Sequence, residues 1–141
     1  KNASVTIDNK LYSSIKQGYL VLFGAEKEDT KEQADWLANK ISLLRCFSDE
    51  QGKMNLSIKD INGEMLIVSQ FTLCANVKKG TRPGFDNAMK PDEANKMYEY
   101  FIKKVKEQDI SVKTGVFGAH MEIELLNDGP VTFVFDAPKE K

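Results

Sequence analysis

Glu64-Met65-Leu66-Ile67-Val68-Ser69-Gln70-Phe71-Thr72-Leu73 is the stretch on which the fold turns. Met65 to Val68 are consecutively apolar and leave no polar face, so the segment reads as a central strand. Ser69, Gln70 and Thr72 then bring hydrogen-bonding side chains into that run. In a continuing strand, alternation places Ser69 and Phe71 on one face and Gln70 and Thr72 on the other. Each unpaired polar group on a buried strand costs about 1–3 kcal/mol. Two readings follow. Either the hydroxyls satisfy neighbouring backbone at a strand end, or the segment is a floor where Thr72 Oγ and nearby N–H groups face a reacting carbonyl.

Working outward, Tyr19-Leu20-Val21-Leu22-Phe23 is a second apolar run, read as a strand buried on both faces. Ala3, Val5 and Ile7 alternate with polar residues as a half-buried strand does, and Asp8-Asn9-Lys10 reads as a turn. Thr30 and Gln33 have capping-box spacing, and Ala34, Leu37, Ala38, Ile41 and Leu44 follow at helical intervals, predicting a helix to about Arg45. Asp49 to Lys53, with Gly52, reads as a turn, and Ala75 to Lys90 as a long loop. Pro91 suits a helix start. Ala94, Met97, Tyr98, Phe101, Ile102 and Val105 form the clearest apolar stripe in the chain. Met121, Ile123 and Leu125 alternate with Glu122 and Glu124 as a strand, and Val131 to Phe135 reads as a last one. These elements predict a single α/β domain over 1–141, mainly strands with two long amphipathic helices packed on them.

With 141 residues, 41% hydrophobic and 29% charged, the chain has the profile of a soluble globular protein large enough to bury a core. Its longest apolar run, Tyr19 to Ala25, is too short to span a bilayer, and no secretory signal opens the chain. Cys46 and Cys74 sit in apolar settings, which suits buried thiols in a reducing compartment. A cytoplasmic location is expected. One histidine, His120, and two distant cysteines give no zinc-type spacing, so neither a metal nor a cofactor is expected. A net charge of −1 argues against wrapping a nucleic acid along its phosphates, although not against gripping one end of a strand. The one dense basic stretch is Lys78-Lys79-Gly80-Thr81-Arg82, which on charge alone also reads as a solvated loop.

Asn127-Asp128-Gly129-Pro130 is the second unusual segment. Asp-Gly between strands is a common hairpin signal, but the proline after it removes a ladder donor and restricts φ. His120 has no serine, cysteine or aspartate partner close by in sequence and reads as structural. Exposed strand charges explain Glu122 and Glu124 more simply than acid–base chemistry does.

Taken together, Ser69-Gln70-Phe71-Thr72-Leu73 and Asn127-x-Gly129-Pro130-Val131-Thr132 resemble the signature pair of the D-aminoacyl-tRNA deacylase family. Ala3-Ser4-Val5 and Gly115-Val116-Phe117-Gly118-Ala119 agree with it too, so the likeness covers essentially the whole chain. Two departures stand out. Family members usually begin with a further strand resembling Met-Arg-x-Val-x-Gln-Arg-Val, ahead of the position of Lys1. They often carry serine or aspartate where Gly84 follows Pro83.

The resemblance implies a mostly antiparallel, barrel-like sheet core and a homodimer with its active site at the subunit interface. The substrate would be the 3′ end of an aminoacyl-tRNA, with hydrolysis of the ester joining a D-amino acid, or glycine, to the terminal adenosine. The Gly129–Pro130 peptide would be cis and its carbonyls would enter the partner's pocket, admitting a D substituent and excluding an L side chain. Backbone N–H groups around Phe71 and Thr72 would form the oxyanion hole, with Thr72 a positioner of water rather than the nucleophile. Ser69, Gln70, Phe117 and Met121 would help hold the adenosine and amino acid, and Lys78, Lys79 and Arg82 would meet phosphates. Two other readings stay open: editing of a mischarged L-amino acid, and an RNA-end binding module without turnover.

Overall fold

A computed structural model describes residues 1–139. Strands β1 (Asn2–Ile7) and β2 (Lys10–Ile15) form an antiparallel hairpin joined by Asp8 and Asn9. Both turn residues have positive φ, 51° and 63°, the conformation a two-residue hairpin requires and one that Asp and Asn tolerate. The sequence carries little sign of β2, since its adjacent Leu11 and Tyr12 are both exposed.

Strand β3 (Gly18–Phe23) leads to helix α1 (Lys31–Leu43), whose start is closed by the Thr30–Gln33 capping box. The helix ends two residues before Arg45. A short hairpin of β4 (Phe47–Ser48) and β5 (Met54–Leu56) follows. Its turn is held by the Asp49 carboxylate, which accepts from the Gln51 and Lys53 N–H groups at 2.9 and 3.0 Å. Strand β6 (Glu64–Ser69) then lies parallel to β3, with Gly18 opposite Glu64 and Phe23 opposite Ser69. Helix α2 (Pro91–Lys106) crosses over to β7 (Ser111–Thr114), parallel to β6 on its other side. Strand β8 (Glu122–Leu126) returns to pair antiparallel with β1.

Among the described residues there is no closed barrel. Three open sheets are present, ordered β2-β1-β8, β3-β6-β7 and β4-β5. The expectation of a mostly antiparallel, barrel-like core is corrected here, because the central sheet is parallel. Each of its neighbouring pairs is joined through a helix, and parallel partners require such crossovers.

The β6 residues show why the apolar run decides the fold. Met65 and Ile67 pack with Phe23, Tyr98, Phe101 and Val105 under the helices, while Leu66 and Val68 pack with Ala3, Val5 and Ile15 of the antiparallel sheet. All four are essentially fully buried. β3, by contrast, is an edge strand with only β6 beside it. Phe23 alone is buried there and Leu22 is 42% exposed, so the expectation of burial on both faces does not hold.

Residues 131–135 form no strand either, and Val131, Phe133 and Val134 are exposed. A cavity of about 1060 Å³ lies between this segment, β3 and α1, lined by Val21, Phe23, Leu37, Ile41, Leu126 and Phe133. Among the described residues the segment has no ladder partner. Its far end is tied to α1 and the loop before it: Gln33 Nε2 donates to the Pro138 carbonyl at 3.2 Å, and Lys139 pairs with Glu26 and Asp29 between β3 and α1. No helix among the described residues is long and apolar enough to cross a membrane.

The buried Tyr98 hydroxyl donates to the Ile67 carbonyl at 2.6 Å, and burial pushes its pKa up to about 12. Gly115 N–H also reaches that carbonyl, at 3.4 Å. Tyr98→Phe therefore leaves the acceptor partly satisfied. The expected cost is about 1 kcal/mol, read as a lower urea midpoint with an unchanged slope.

Candidate active site

β6 ends at Ser69, and the chain does not continue as a strand. Gln70 N–H still donates to the Phe23 carbonyl at 2.7 Å, then Phe71–Cys74 wind into a 3-10 turn. The alternation expected for Ser69 to Thr72 is thereby corrected: a helical turn, not a pleat, sets where these side chains lie. Gly24 makes the turn possible. A Cβ there would stand 3.1 Å from both the Gln70 carbonyl and Leu73 Cβ.

Helix starts leave their first donors free. Among the described residues, no backbone carbonyl accepts from the Phe71 or Thr72 N–H. Beside them the Gln70 side-chain amide donates to the Thr72 hydroxyl, which is exposed. One Thr72 lone pair is thus occupied, and among the described residues no side chain takes its proton. This geometry orients a hydroxyl without activating it.

Ser69 to Thr72 lie at the carboxyl end of β6, where parallel α/β sheets commonly place ligands. Phe117 and Met121 come to the same end. Gly115, which follows β7, packs so closely on Met121 that an added Cβ would stand 2.5 Å from its sulfur and 3.6 Å from Val68. The half-buried Phe117 ring lies 6.1 Å from that of Tyr98. Lys78, Lys79 and Arg82 are exposed in the loop after the turn, and none forms an ion pair among the described residues.

Among the described residues no hydrogen bond joins Gly129 or Pro130 to Ser69, Gln70, Phe71 or Thr72 within the chain. Gly129 and Pro130 follow β8, whose six-residue advance from Met121 to Asn127 carries the chain roughly 20 Å away. Their peptide bond is cis. Asn127 and Thr132 hold the loop between them. Asn127 Nδ2 donates to Thr132 Oγ1 at 2.9 Å, and Asn127 Oδ1 accepts from Val131 N–H at 3.1 Å. Reading the motif as Asn-x-Gly-Pro-Val-Thr gives these two residues no role, yet they brace it.

Burial, then the Glu26 and Asp29 carboxylates, raise the pKa of Cys74, whose thiol donates to the Ala25 carbonyl at 3.4 Å. No group of three or more His, Cys, Asp or Glu side chains among the described residues is arranged to hold a metal ion. The large cavity beside β3 is lined by Leu73 and Cys74 of the 3-10 turn and by Asn127 and Thr132 of the second motif, but not by Ser69, Gln70, Phe71, Thr72, Phe117, Met121, Gly129 or Pro130.

The model of the D-Tyr-tRNA(Tyr) deacylase family matches residues 1–136. A D-aminoacyl-tRNA deacylase of Geotalea uraniireducens (strain Rf4) is 53% identical over 139 residues, covering 99% of this chain and 90% of that protein. One of Pseudoalteromonas translucida (strain TAC 125) is 55% identical over 133 residues, covering 94% and 92%. Among solved structures, the c-Myc DNA Unwinding Element Binding Protein superposes with a TM-score of 0.91 at 39% identity, covering 98% of this chain and 94% of that one. A probable eukaryotic D-amino acid tRNA deacylase shares the fold, with a TM-score of 0.77 at 16% identity over 92% and 90% of the two chains. On the family model and these relatives, the chain belongs to the D-Tyr-tRNA(Tyr) deacylase family.

Proposed function

We propose that the protein is a hydrolase that cleaves the ester between a D-amino acid and the terminal adenosine of tRNA, with glycyl-tRNA as a second substrate. The observation that carries this reading is the pair of free N–H groups at Phe71 and Thr72, set at the carboxyl end of β6 beside an oriented but unactivated hydroxyl. An ester is already activated, so the developing oxyanion needs stabilisation more than the attack needs a strong nucleophile. In this scheme the Phe71 and Thr72 amides receive the oxyanion. Thr72 Oγ positions a water, with Gln70 holding the threonine rotamer. Ser69, Phe117 and Met121 contact the adenosine and the amino acid, and Lys78, Lys79 and Arg82 contact phosphates.

The whole chain, 1–141, acts in this scheme as one deacylase domain, and it acts as a homodimer. The advance of β8, which carries the chain roughly 20 Å beyond Met121 before Gly129–Pro130, supports an arrangement in which each subunit completes its partner's site. The Gly129 and Pro130 carbonyls would accept from the substrate α-ammonium and leave room on one side of the α-carbon only. Chirality is then read by excluding the L side chain. The reaction would take place in the cytoplasm, where charged tRNA is used.

The test is to incubate D-Tyr-tRNA, L-Tyr-tRNA and Gly-tRNA with the protein and follow release of the amino acid. Rapid release from the D and glycyl forms, at least about 100-fold faster than from the L form, is expected; the factor corresponds to about 2.7 kcal/mol in transition-state binding. Release from the L form alone, or binding without turnover, overturns the reading. Thr72→Ala is expected to lower kcat by about tenfold and leave a measurable rate, the behaviour of a positioner. Abolished turnover in that variant, with trapped acyl-enzyme in the parent, would make Thr72 the nucleophile.

A further inference from the structure

Phe71 and Phe85 belong to neither core cluster. Their rings pair with each other, centroids 5.0 Å apart and planes tilted by 58°, while Phe71 remains 57% exposed. The 3-10 turn lifts Phe71 off β6, and a clasp holds Phe85. Asn76 and Gly84 exchange both backbone hydrogen bonds, at 2.7 and 2.9 Å, and so close the loop 77–83 immediately before Phe85. That loop carries Lys78, Lys79 and Arg82, all exposed and without ion pairs among the described residues. Asp86 is the acidic residue next to the ring, and it too forms no ion pair there. A pair of rings, Phe71 exposed and Phe85 half-buried beneath it, at the foot of a basic loop without ion pairs among the described residues is a combination that suits single-stranded nucleic acid, with ring faces for bases and cations for phosphates.

We propose that Phe71 and Phe85 form a stacking platform for the unpaired nucleotides that precede the terminal adenosine, with the loop 77–83 tracking their phosphates. This inference rests on the aminoacyl-tRNA reading above and adds to it the site for the rest of the single-stranded end. A stacking platform tolerates any base, since every base has a flat face. It extends the contact with the substrate beyond the ester, where only one nucleotide is held. The neighbouring phosphates supply the charge that complements Lys78, Lys79 and Arg82.

Phe85→Leu keeps an apolar side chain and removes the ring. Its kcat/KM should be measured on D-Tyr-tRNA, on a D-tyrosyl-CCA trinucleotide and on D-tyrosyl adenosine, alongside Phe85→Tyr. The expected result is a loss of about tenfold, or about 1.4 kcal/mol, on the first two substrates, no change on the adenosine ester, and retention of rate in Phe85→Tyr. Binding of fluorescently labelled, uncharged CCA is measured in parallel and needs no turnover. Weaker CCA binding by Phe85→Leu than by the parent supports the platform even if no ester is hydrolysed, which separates it from the deacylase assignment. Equal losses on all three substrates, or unchanged CCA binding, overturn it. So does a shift of oligomeric state in Phe85→Leu with CCA binding intact, which would make the rings a protein contact.

Discussion

Gly18→Ala is expected to destabilise the protein by about 3 kcal/mol, the upper end for forcing extra atoms into a packed interior. Gly18 opens β3 directly opposite Glu64 of β6. A Cβ added there would lie 1.8 Å from the Glu64 carbonyl oxygen and 2.7 Å from its nitrogen. Both are backbone atoms of the central strand, so no side-chain rotation relieves the clash. The start of β3 must move away from β6, and the Glu64 N–H that donates to the Gln17 carbonyl at 3.0 Å loses its partner. For a chain of this length the thermal midpoint should fall by about 10 °C. Gly52→Ala is the control. No atom lies within 4 Å of a Cβ there, and its positive φ of 77° limits the effect to the strain of a turn residue. Equal midpoints for Gly18→Ala and the parent would refute the close approach of the two strands.

Gly129→Ala should act on rate rather than on stability. Its φ is +139°, and a Cβ would stand 2.7 Å from Val131 Cγ2 and 3.0 Å from Val131 N. Val131 N–H is the donor to Asn127 Oδ1, so relieving the contact pulls on the bond that braces the loop. The surrounding residues are exposed, and the expected stability cost is about 1 kcal/mol. If the Gly129 and Pro130 carbonyls receive the substrate α-ammonium as proposed, a displacement approaching 1 Å lowers kcat/KM for D-Tyr-tRNA by about 100-fold. The check is single-turnover deacylation at matched folded fractions, with L-Tyr-tRNA run beside it. A full rate in Gly129→Ala would falsify the carbonyl gate and leave the Phe71 and Thr72 site standing.

The elements with strong local signatures were legible from the sequence. The Thr30–Gln33 box and the stripe of apolar residues after Pro91 marked both helices to within about two residues, because capping and amphipathicity act within a few turns of chain. Asp8-Asn9-Lys10 read as a turn, and positive φ at Asp8 and Asn9 makes that turn the bend of a hairpin whose second strand the sequence did not announce. β2, β7 and the β4–β5 pair carried weaker signals, being short or without alternation. The reading of residues 131–135 as a strand failed for a different reason. The residues have strand character, but pairing needs a neighbour, and among the described residues none pairs with them, leaving Val131, Phe133 and Val134 exposed. At the site, Ser69 to Thr72 stood out in sequence because polar groups interrupted a buried run. Their arrangement did not, because a 3-10 turn replaced the pleat.

By itself the sequence determined the apolar run of Met65 to Val68, the two helices with their caps, and a pair of motifs specific enough to indicate the family. These depend on residue identity and on spacing within one element, which local physics reads directly. Tertiary structure alone decided that the central sheet is parallel and that Phe71–Cys74 turn rather than extend. It also decided that Met121 packs on Gly115 beside Val68, near the end of β6 that leads into the Thr72 turn. Those outcomes depend on which distant segments share one buried surface, and on the close approach that Gly18, Gly24 and Gly115 permit by having no side chain.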